Sequence, residues 1–104
     1  MIVKMPILNL NDVGYTEQFL KVKEEYYEFI EAFATYRCKH DSKSLLSEMS
    51  EALDLLQSLI GYITKSYCKK DIEQAFIRHY NKLESRDRAI IGSININING
   101  GNEI

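Results

Sequence analysis

The feature that most constrains the fold is a long stretch, residues 15–60, that contains neither glycine nor proline. Because these two residues are the ones that most often interrupt helices, a helix is allowed anywhere in this stretch. Apolar residues recur within it at intervals of three and four, the spacing of one face of an α-helix. The stretch therefore predicts two successive long helices.

The expected bounds of these helices follow from capping residues. Thr16 is a suitable N-cap for the first helix, with an acidic first turn, and the apolar pattern breaks around residues 37–40. Asp41 or Ser42 can cap the second helix, which should fade by Tyr67. The second helix carries two apolar stripes, so we expect it to be buried on more than one side, at the centre of the fold. The stripes are Leu45, Met49, Ala52, Leu56, Leu59 and Ile63, and Leu46, Leu53 and Ile60.

A third helix and two flanking segments complete the chain. Asp71 is the expected cap of the third helix, which should reach about Arg88. Residues 1–13 form a lead-in segment, and residues 92–104 alternate isoleucine with asparagine, which is typical of a strand. This tail should be disordered, or paired with another chain or with residues 1–8. We predict a single domain, 1–104, with a helical core over about 15–90: an all-α antiparallel bundle of three main helices, completed by oligomerisation.

Composition narrows the setting of the protein. The net charge of −2 gives no general attraction to nucleic acid or to anionic membranes. No apolar run approaches the roughly 18 residues of a membrane span, and the first residues lack the pattern of a signal peptide. We therefore expect a cytoplasmic protein that binds neither membrane nor nucleic acid polymer.

Cysteine and histidine offer a possible metal site that we reject. Cys38, His40, Cys68 and His79 are spaced unlike any zinc motif. Two reduced thiols near helix ends, and a packed, hydrogen-bonded His79 within the apolar stripe of the third helix, are the preferred interpretation.

Acidic residues form a pattern across the first two helices. The segment EEYYEFIE, residues 24–31, holds four glutamates, and Glu25 and Glu28 share a helix face, as do Glu51 and Asp54. In an antiparallel hairpin that turns between Lys39 and His40, the two pairs lie at the same height. Four converging carboxylates need a cation, and all-oxygen ligands suit Mg²⁺ or Mn²⁺.

A second interpretation of these carboxylates stays open. On a helical wheel, Glu24 and Glu28 lie nearly opposite the apolar stripe of the first helix, and Asp54 lies nearly opposite that of the second. This placement favours acidic faces that are merely exposed to solvent.

The acidic segments also resemble a known family. EEYYE at 24–28, 22 intervening residues and EALD at 51–54 fit the pattern EExxE…ExxD. Over about residues 15–90 the chain resembles the MazG-type nucleotide pyrophosphohydrolases of the all-α NTP pyrophosphatase superfamily. NKLESR at 81–86 resembles the later helix of that family, in which a lysine and an arginine four residues apart face the phosphates.

The resemblance implies a reaction and a role for each residue. It implies hydrolysis of nucleoside triphosphates between the α- and β-phosphates, for nucleotide-pool house-cleaning, by a homodimer or homotetramer that builds its base pocket partly from a neighbouring subunit. It places Mg²⁺, or Mn²⁺, on Glu25, Glu28, Glu51 and Asp54. Glu24 would orient or deprotonate the attacking water, and Lys82 and Arg86 would stabilise charge on the leaving pyrophosphate.

Two other functions remain as alternatives, and the substrate is open. A helical bundle acting as a non-enzymatic interaction module would carry acidic faces that are only solvated. A regulatory homologue would bind nucleotide without turnover. No base-recognition motif is visible, and the Ile/Asn tail departs from the family pattern; any of several tyrosines could stack on a base, namely Tyr26, Tyr27, Tyr36, Tyr62, Tyr67 and Tyr80.

Overall fold

The computed structural model describes residues 2–86 and 88–95, and over these residues its only regular elements are helices. They are α1 (Tyr15–Lys39), α2 (Ser42–Ser66) and α3 (Lys69–Glu84). The predicted all-α fold with three main helices is confirmed. Within the described ranges, none of the helices has both the length and the hydropathy needed to span a bilayer.

α1 and α2 form an antiparallel hairpin with a very short connection. His40 closes α1 in the left-handed region, at φ 53°, and its N–H donates to the Tyr36 carbonyl oxygen at 2.8 Å. Asp41 then caps α2, with Oδ1 accepting from the Ser44 N–H at 2.8 Å. The predicted break near residues 39–40 and one of the two predicted caps are confirmed.

Other helix ends differ from the prediction. Gly14, not Thr16, is the N-cap of α1, and its N–H donates to Glu17 Oε1 at 3.2 Å. The N-cap of α3 is Cys68, which lies three residues before the predicted cap Asp71. In the first turn of α3 the Asp71 carboxylate instead accepts from the Cys68 thiol at 3.1 Å, where its charge also suits the helix dipole. α3 ends at Glu84, short of the expected Arg88.

The fully buried residues of α1 and α2 are polar or small, which differs from the expected apolar core. Gln18, Glu25 and Ala32 are buried on α1 at intervals of seven residues. On α2 the buried residues are Ser44, Ser58, Gly61 and Thr64. Most residues of the apolar stripes on both helices are exposed, so the expectation that α2 is buried on more than one side is wrong for the chain alone. The half-buried members are Val22, Phe29, Ala52, Ile60 and Ile63. Exposed members of these stripes include Phe19, Tyr26, Ile30, Phe33, Leu45, Leu46, Met49, Leu53, Leu56 and Leu59.

The lead-in segment packs against the second half of α2. Gln57 Nε2 donates to the Pro6 carbonyl oxygen at 2.6 Å, and Lys65 Nζ donates to that of Leu10 at 2.9 Å. Gly61 lets the segment approach, since an added Cβ would lie 2.9 Å from Leu10 Cδ1. At the other end, residues 92–95 form no regular element, and the rest of the predicted strand, 96–104, lies outside the described residues.

α3 packs only lightly against the end of α2. An open groove of about 590 Å³ lies between them, lined by Ile63, Tyr67, Ile72 and Phe76 among others. His79 also lines this groove and is exposed, so the expected packed, hydrogen-bonded histidine is wrong. Ile72 is the one large apolar side chain buried among the described residues.

Candidate functional site: a carboxylate cluster between α1 and α2

Three carboxylates meet where the polar faces of α1 and α2 pack together. Glu25 and Glu28 lie on consecutive turns of α1, and Glu51 lies opposite them on α2. One carboxylate oxygen from each can be chosen so that all three lie within 4.8 Å of one another. Glu25 is 7% exposed, Glu51 is half-buried and Glu28 is exposed, so the cluster reaches from the helix contact to solvent.

The inner part of this carboxylate cluster lacks hydrogen-bond donors. Glu25 Oε2 and Glu51 Oε2 are buried oxygens without a hydrogen-bond partner among the described residues. A buried charged oxygen without a donor is costly, and native proteins seldom leave one in this state. Two such oxygens on facing helices are what a cation of two or more charges would satisfy. The donor set is all oxygen, which suits a hard divalent cation such as Mg²⁺ or Mn²⁺.

The electrostatics of the cluster show the same excess of negative charge. A hydrogen bond that the protonated Glu28 carboxyl donates to Glu25, and repulsion from that carboxylate, raise the pKa of Glu28, with smaller contributions from burial and from Glu51 and Glu24. On the same face of α1, the Lys21 ammonium lies 2.9 Å from Glu25 Oε1. This contact raises the pKa of Lys21.

The structure brings together three of the four predicted metal ligands. Asp54, the fourth, is exposed one turn further along α2 and lies outside the cluster. The two helices are therefore shifted along each other relative to the expected alignment of the pairs Glu25/Glu28 and Glu51/Asp54, because Glu51 approaches Glu25 as well as Glu28. Glu24, the predicted water-activating residue, is exposed, with Oε2 3.8 Å from Lys21 Nζ.

The predicted phosphate-binding residues lie apart from the cluster. Lys82 is exposed in the last turn of α3, and Arg86 follows the end of that helix. In the part of the chain described, α3 contacts α2 but not α1, and neither side chain pairs with a cluster carboxylate. Within one protomer the structure therefore does not join the EExxE and NKLESR segments.

Two residues that contribute to this face were missed by the sequence analysis. Lys21 lies four residues before Glu25, and this i,i+4 spacing of opposite charges was the available signal. Gln18 is buried and its Nε2 donates to the Ser58 carbonyl oxygen at 3.0 Å, which ties α1 to α2 beyond the cluster. Gln18 lies seven residues before Glu25 and so on the same face of α1. This spacing predicts that Gln18 is buried only if Glu25 is already known to be buried.

The cysteines and tyrosines take no part in the cluster. Cys38 and Cys68 are free and exposed near helix ends, as predicted. Tyr62 packs edge-on against Phe19 and Tyr67, with ring centroids 6.2 and 6.1 Å apart. Four of the other five tyrosines considered for base stacking are half-buried or exposed on α1 or α3, and Tyr67 follows α2.

Comparisons of the chain with protein-family models, with curated proteins and with solved structures give no match.

Proposed function

We propose that the protein is a divalent-metal-dependent nucleoside triphosphate pyrophosphohydrolase, which releases a nucleoside monophosphate and pyrophosphate. The observation that carries the proposal is the pair of buried, unpartnered carboxylate oxygens, Glu25 Oε2 and Glu51 Oε2, in a cluster with Glu28. These are three of the residues that the resemblance to MazG-type enzymes assigns to Mg²⁺. The fourth residue of that set, Asp54, lies outside the cluster.

The residues present fit a Mg²⁺ or Mn²⁺ ion. Glu25, Glu28 and Glu51 would hold it, and Asp54 would complete the ligand set by a change of side-chain conformation. The ion would neutralise charge on phosphate oxygens and act as a Lewis acid. Glu25 Oε2 and Glu51 Oε2 are buried, so little water would compete with a cation on the inner side of the site, and their attraction for it would be stronger there.

The other roles belong to exposed residues. Glu24 lies one residue before Glu25 on α1 and would orient or deprotonate the attacking water. Lys82 and Arg86 would stabilise charge on the leaving pyrophosphate. Since α3 does not contact α1 in one protomer, we assign this last role to an α3 supplied by a second copy of the chain.

The exposed apolar stripes support a homodimer or homotetramer. Met49 and Leu53 of α2 are each 54% exposed, and Phe19 and Ile30 of α1 are exposed as well. Among the described residues only Ala32 and Ile72 form a buried apolar core, which is too little to offset the conformational entropy lost on folding. A second copy offers the same long apolar stripes and would bury them against its own.

The proposed setting is the cytoplasm, with nucleoside triphosphates as substrates and the removal of non-standard or excess nucleotides as the biological role. A non-enzymatic interaction module is the second candidate, because an exposed apolar groove between α2 and α3 would also suit a protein partner. The two candidates differ in whether the cluster binds metal.

Product analysis tests the proposal most directly. The protein is incubated with a panel of ribo- and deoxynucleoside triphosphates, with Mg²⁺ or with EDTA, and the products are separated by chromatography. Monophosphate and pyrophosphate, formed only with Mg²⁺, are expected. Diphosphate and orthophosphate would contradict the proposal, because a different bond would then be broken. No turnover, together with no effect of Mg²⁺ on the melting temperature, would favour the interaction module.

A further inference from the structure

Lys21 is the cation that contacts the carboxylate cluster. Its Nζ lies 2.9 Å from Glu25 Oε1 and 3.8 Å from Glu24 Oε2. In residues 2–86 and 88–95, no other lysine, arginine or histidine lies within 4.0 Å of a carboxylate oxygen of Glu25, Glu28 or Glu51. Lys21 is therefore the counter-charge of the cluster in the absence of metal.

One ammonium group satisfies only the outer part of the cluster. It contacts Glu25 through Oε1, whereas Oε2 of Glu25 and Oε2 of Glu51 remain without a partner. A single positive charge also balances only one of the three carboxylates. The lysine thus pairs with one cluster carboxylate without filling the place of a divalent cation.

Lys21 lies where its ammonium could exchange one ion-pair partner for another. Its side chain is 50% exposed, whereas the side chain of Glu25 is 9% exposed, so the lysine approaches from the solvent side. A lysine ammonium is a compact charge with three donors on a flexible stem. A polyphosphate that reaches the cluster from solvent would find this ammonium accessible.

The strength of the Lys21–Glu25 contact depends on the charge of Glu25. A divalent cation on that carboxylate would weaken its attraction for the ammonium, and a phosphate oxygen would then become the stronger acceptor. We propose that Lys21 is an exchangeable counter-cation. Its ammonium pairs with Glu25 in the metal-free protein and pairs instead with the substrate polyphosphate when metal is bound. This inference rests on the proposed function.

The exchange predicts effects of opposite sign on two binding steps. Lys21→Gln removes a competitor of the metal, so Mn²⁺ alone should bind about threefold to tenfold more tightly. The same change removes a charge-assisted hydrogen bond to the polyphosphate. A non-hydrolysable nucleoside triphosphate analogue with an α,β-methylene bridge should therefore bind about tenfold more weakly at saturating Mn²⁺. A lysine with a merely structural role would not separate the two affinities in this way.

Isothermal titration calorimetry on the full chain measures both steps. Lys23→Gln is the matched control, because Lys23 is an exposed lysine of the same helix without an ion pair among the described residues. It should change both affinities less than twofold. Lys21→Arg keeps the positive charge and should retain analogue binding without tighter Mn²⁺ binding, which provides a second test if the glutamine variant does not fold.

The outcomes separate this inference from the proposed function. If the wild-type protein binds no Mn²⁺, the proposed function fails and the exchange fails with it. If the wild type binds Mn²⁺ and the analogue, but Lys21→Gln binds Mn²⁺ no more tightly or binds the analogue equally well, the exchange alone is overturned. Tighter Mn²⁺ binding together with weaker analogue binding would establish it.

Discussion

At the scale of single residues, Glu28 joins the buried and exposed parts of the cluster. Glu25 and Glu51 lie at the helix contact, and Glu28 lies at the edge that solvent reaches. Neighbouring carboxylates raise its pKa, so in the folded protein its ionised form is disfavoured relative to the unfolded chain. At neutral pH and without metal, the charge on Glu28 therefore opposes folding.

The substitution Glu28→Gln should separate stability from activity. It removes a metal ligand, so pyrophosphate release should fall by at least a hundredfold. In EDTA at pH 7 it also removes repulsion, so the melting temperature should rise. Because the pKa of Glu28 is raised in the folded state, the wild type gains stability as pH falls through that pKa, and the difference between the two proteins should shrink there.

The matched control is Glu31→Gln, an exposed glutamate of α1 outside the cluster. Activity assays and thermal melts over a pH series, with EDTA and with Mg²⁺, compare the three proteins. Full activity in the Glu28 variant would contradict the assignment of this ligand.

Asp41 is a second residue whose charge affects stability, here through a helix cap. The Ser44 hydroxyl, 2.6 Å from Asp41 Oδ1, and the Ser44 N–H lower the pKa of Asp41. A carboxylate with a lowered pKa stabilises the folded state above its unfolded pKa, and this contribution is lost as pH falls through the folded pKa.

The substitution Asp41→Ala should therefore lower the melting temperature by a few degrees at neutral pH. The difference from the wild type should diminish in acid, below the ordinary range of an aspartate. Ser42→Ala, at the first position of α2, serves as the control and should have little effect. An Asp41 effect that is the same at every pH would argue against a charge-assisted cap.

At the scale of the helices, a glycine sets how closely the lead-in segment approaches α2. An added Cβ at Gly61 would lie 2.9 Å from Leu10 Cδ1 and 3.1 Å from Gln18 Nε2. Gln18 is held in place by its hydrogen bond to Ser58, so it cannot move without losing that bond. Crowding here affects both the lead-in segment and the α1–α2 contact.

The substitution Gly61→Val should lower the free energy of unfolding by about 1–3 kcal/mol through overpacking. Valine forms helices more readily than glycine, so a loss of stability would have to come from the crowding. Urea denaturation measures it. Gly92→Val is the control, because nothing lies within 4 Å of a Cβ added at Gly92. Equal stability of the wild type and the Gly61 variant would show that the lead-in segment can move away from α2 without a loss of stability.

At the scale of the whole molecule, the fully buried residues of the hairpin are polar or small, and most of its large apolar residues are exposed. Glutamine, glutamate, serine and threonine are buried on α1 and α2, whereas Val22, Phe29 and Leu55 are half-buried. Exposed apolar surface of this extent marks an association surface. The proposed assembly would give the protein its apolar core, and the carboxylate cluster would then lie between two layers of helix contact.

The substitution Leu53→Glu should weaken this assembly. Sedimentation velocity is expected to give a dimer or tetramer for the wild type and a smaller species for the variant, with a lower melting temperature. Ser50→Glu adds the same charge at an exposed polar position of α2 and should leave the mass unchanged. A monomeric wild type that melts cooperatively would contradict the proposed homo-oligomer.

The amino-acid sequence by itself determined the three helices, the turn near His40 and the candidate carboxylates. These depend on local signals: apolar spacing, the absence of glycine and proline, and the Asp41 cap. The tertiary structure alone decided which faces pack. Small side chains let two helices approach closely, and Ser58 and Gly61 are buried on α2, with Gly61 next to Gln18 of α1 and Glu51 next to Glu25. The periodicity of the apolar residues indicates a buried face, but it does not identify the element that covers that face.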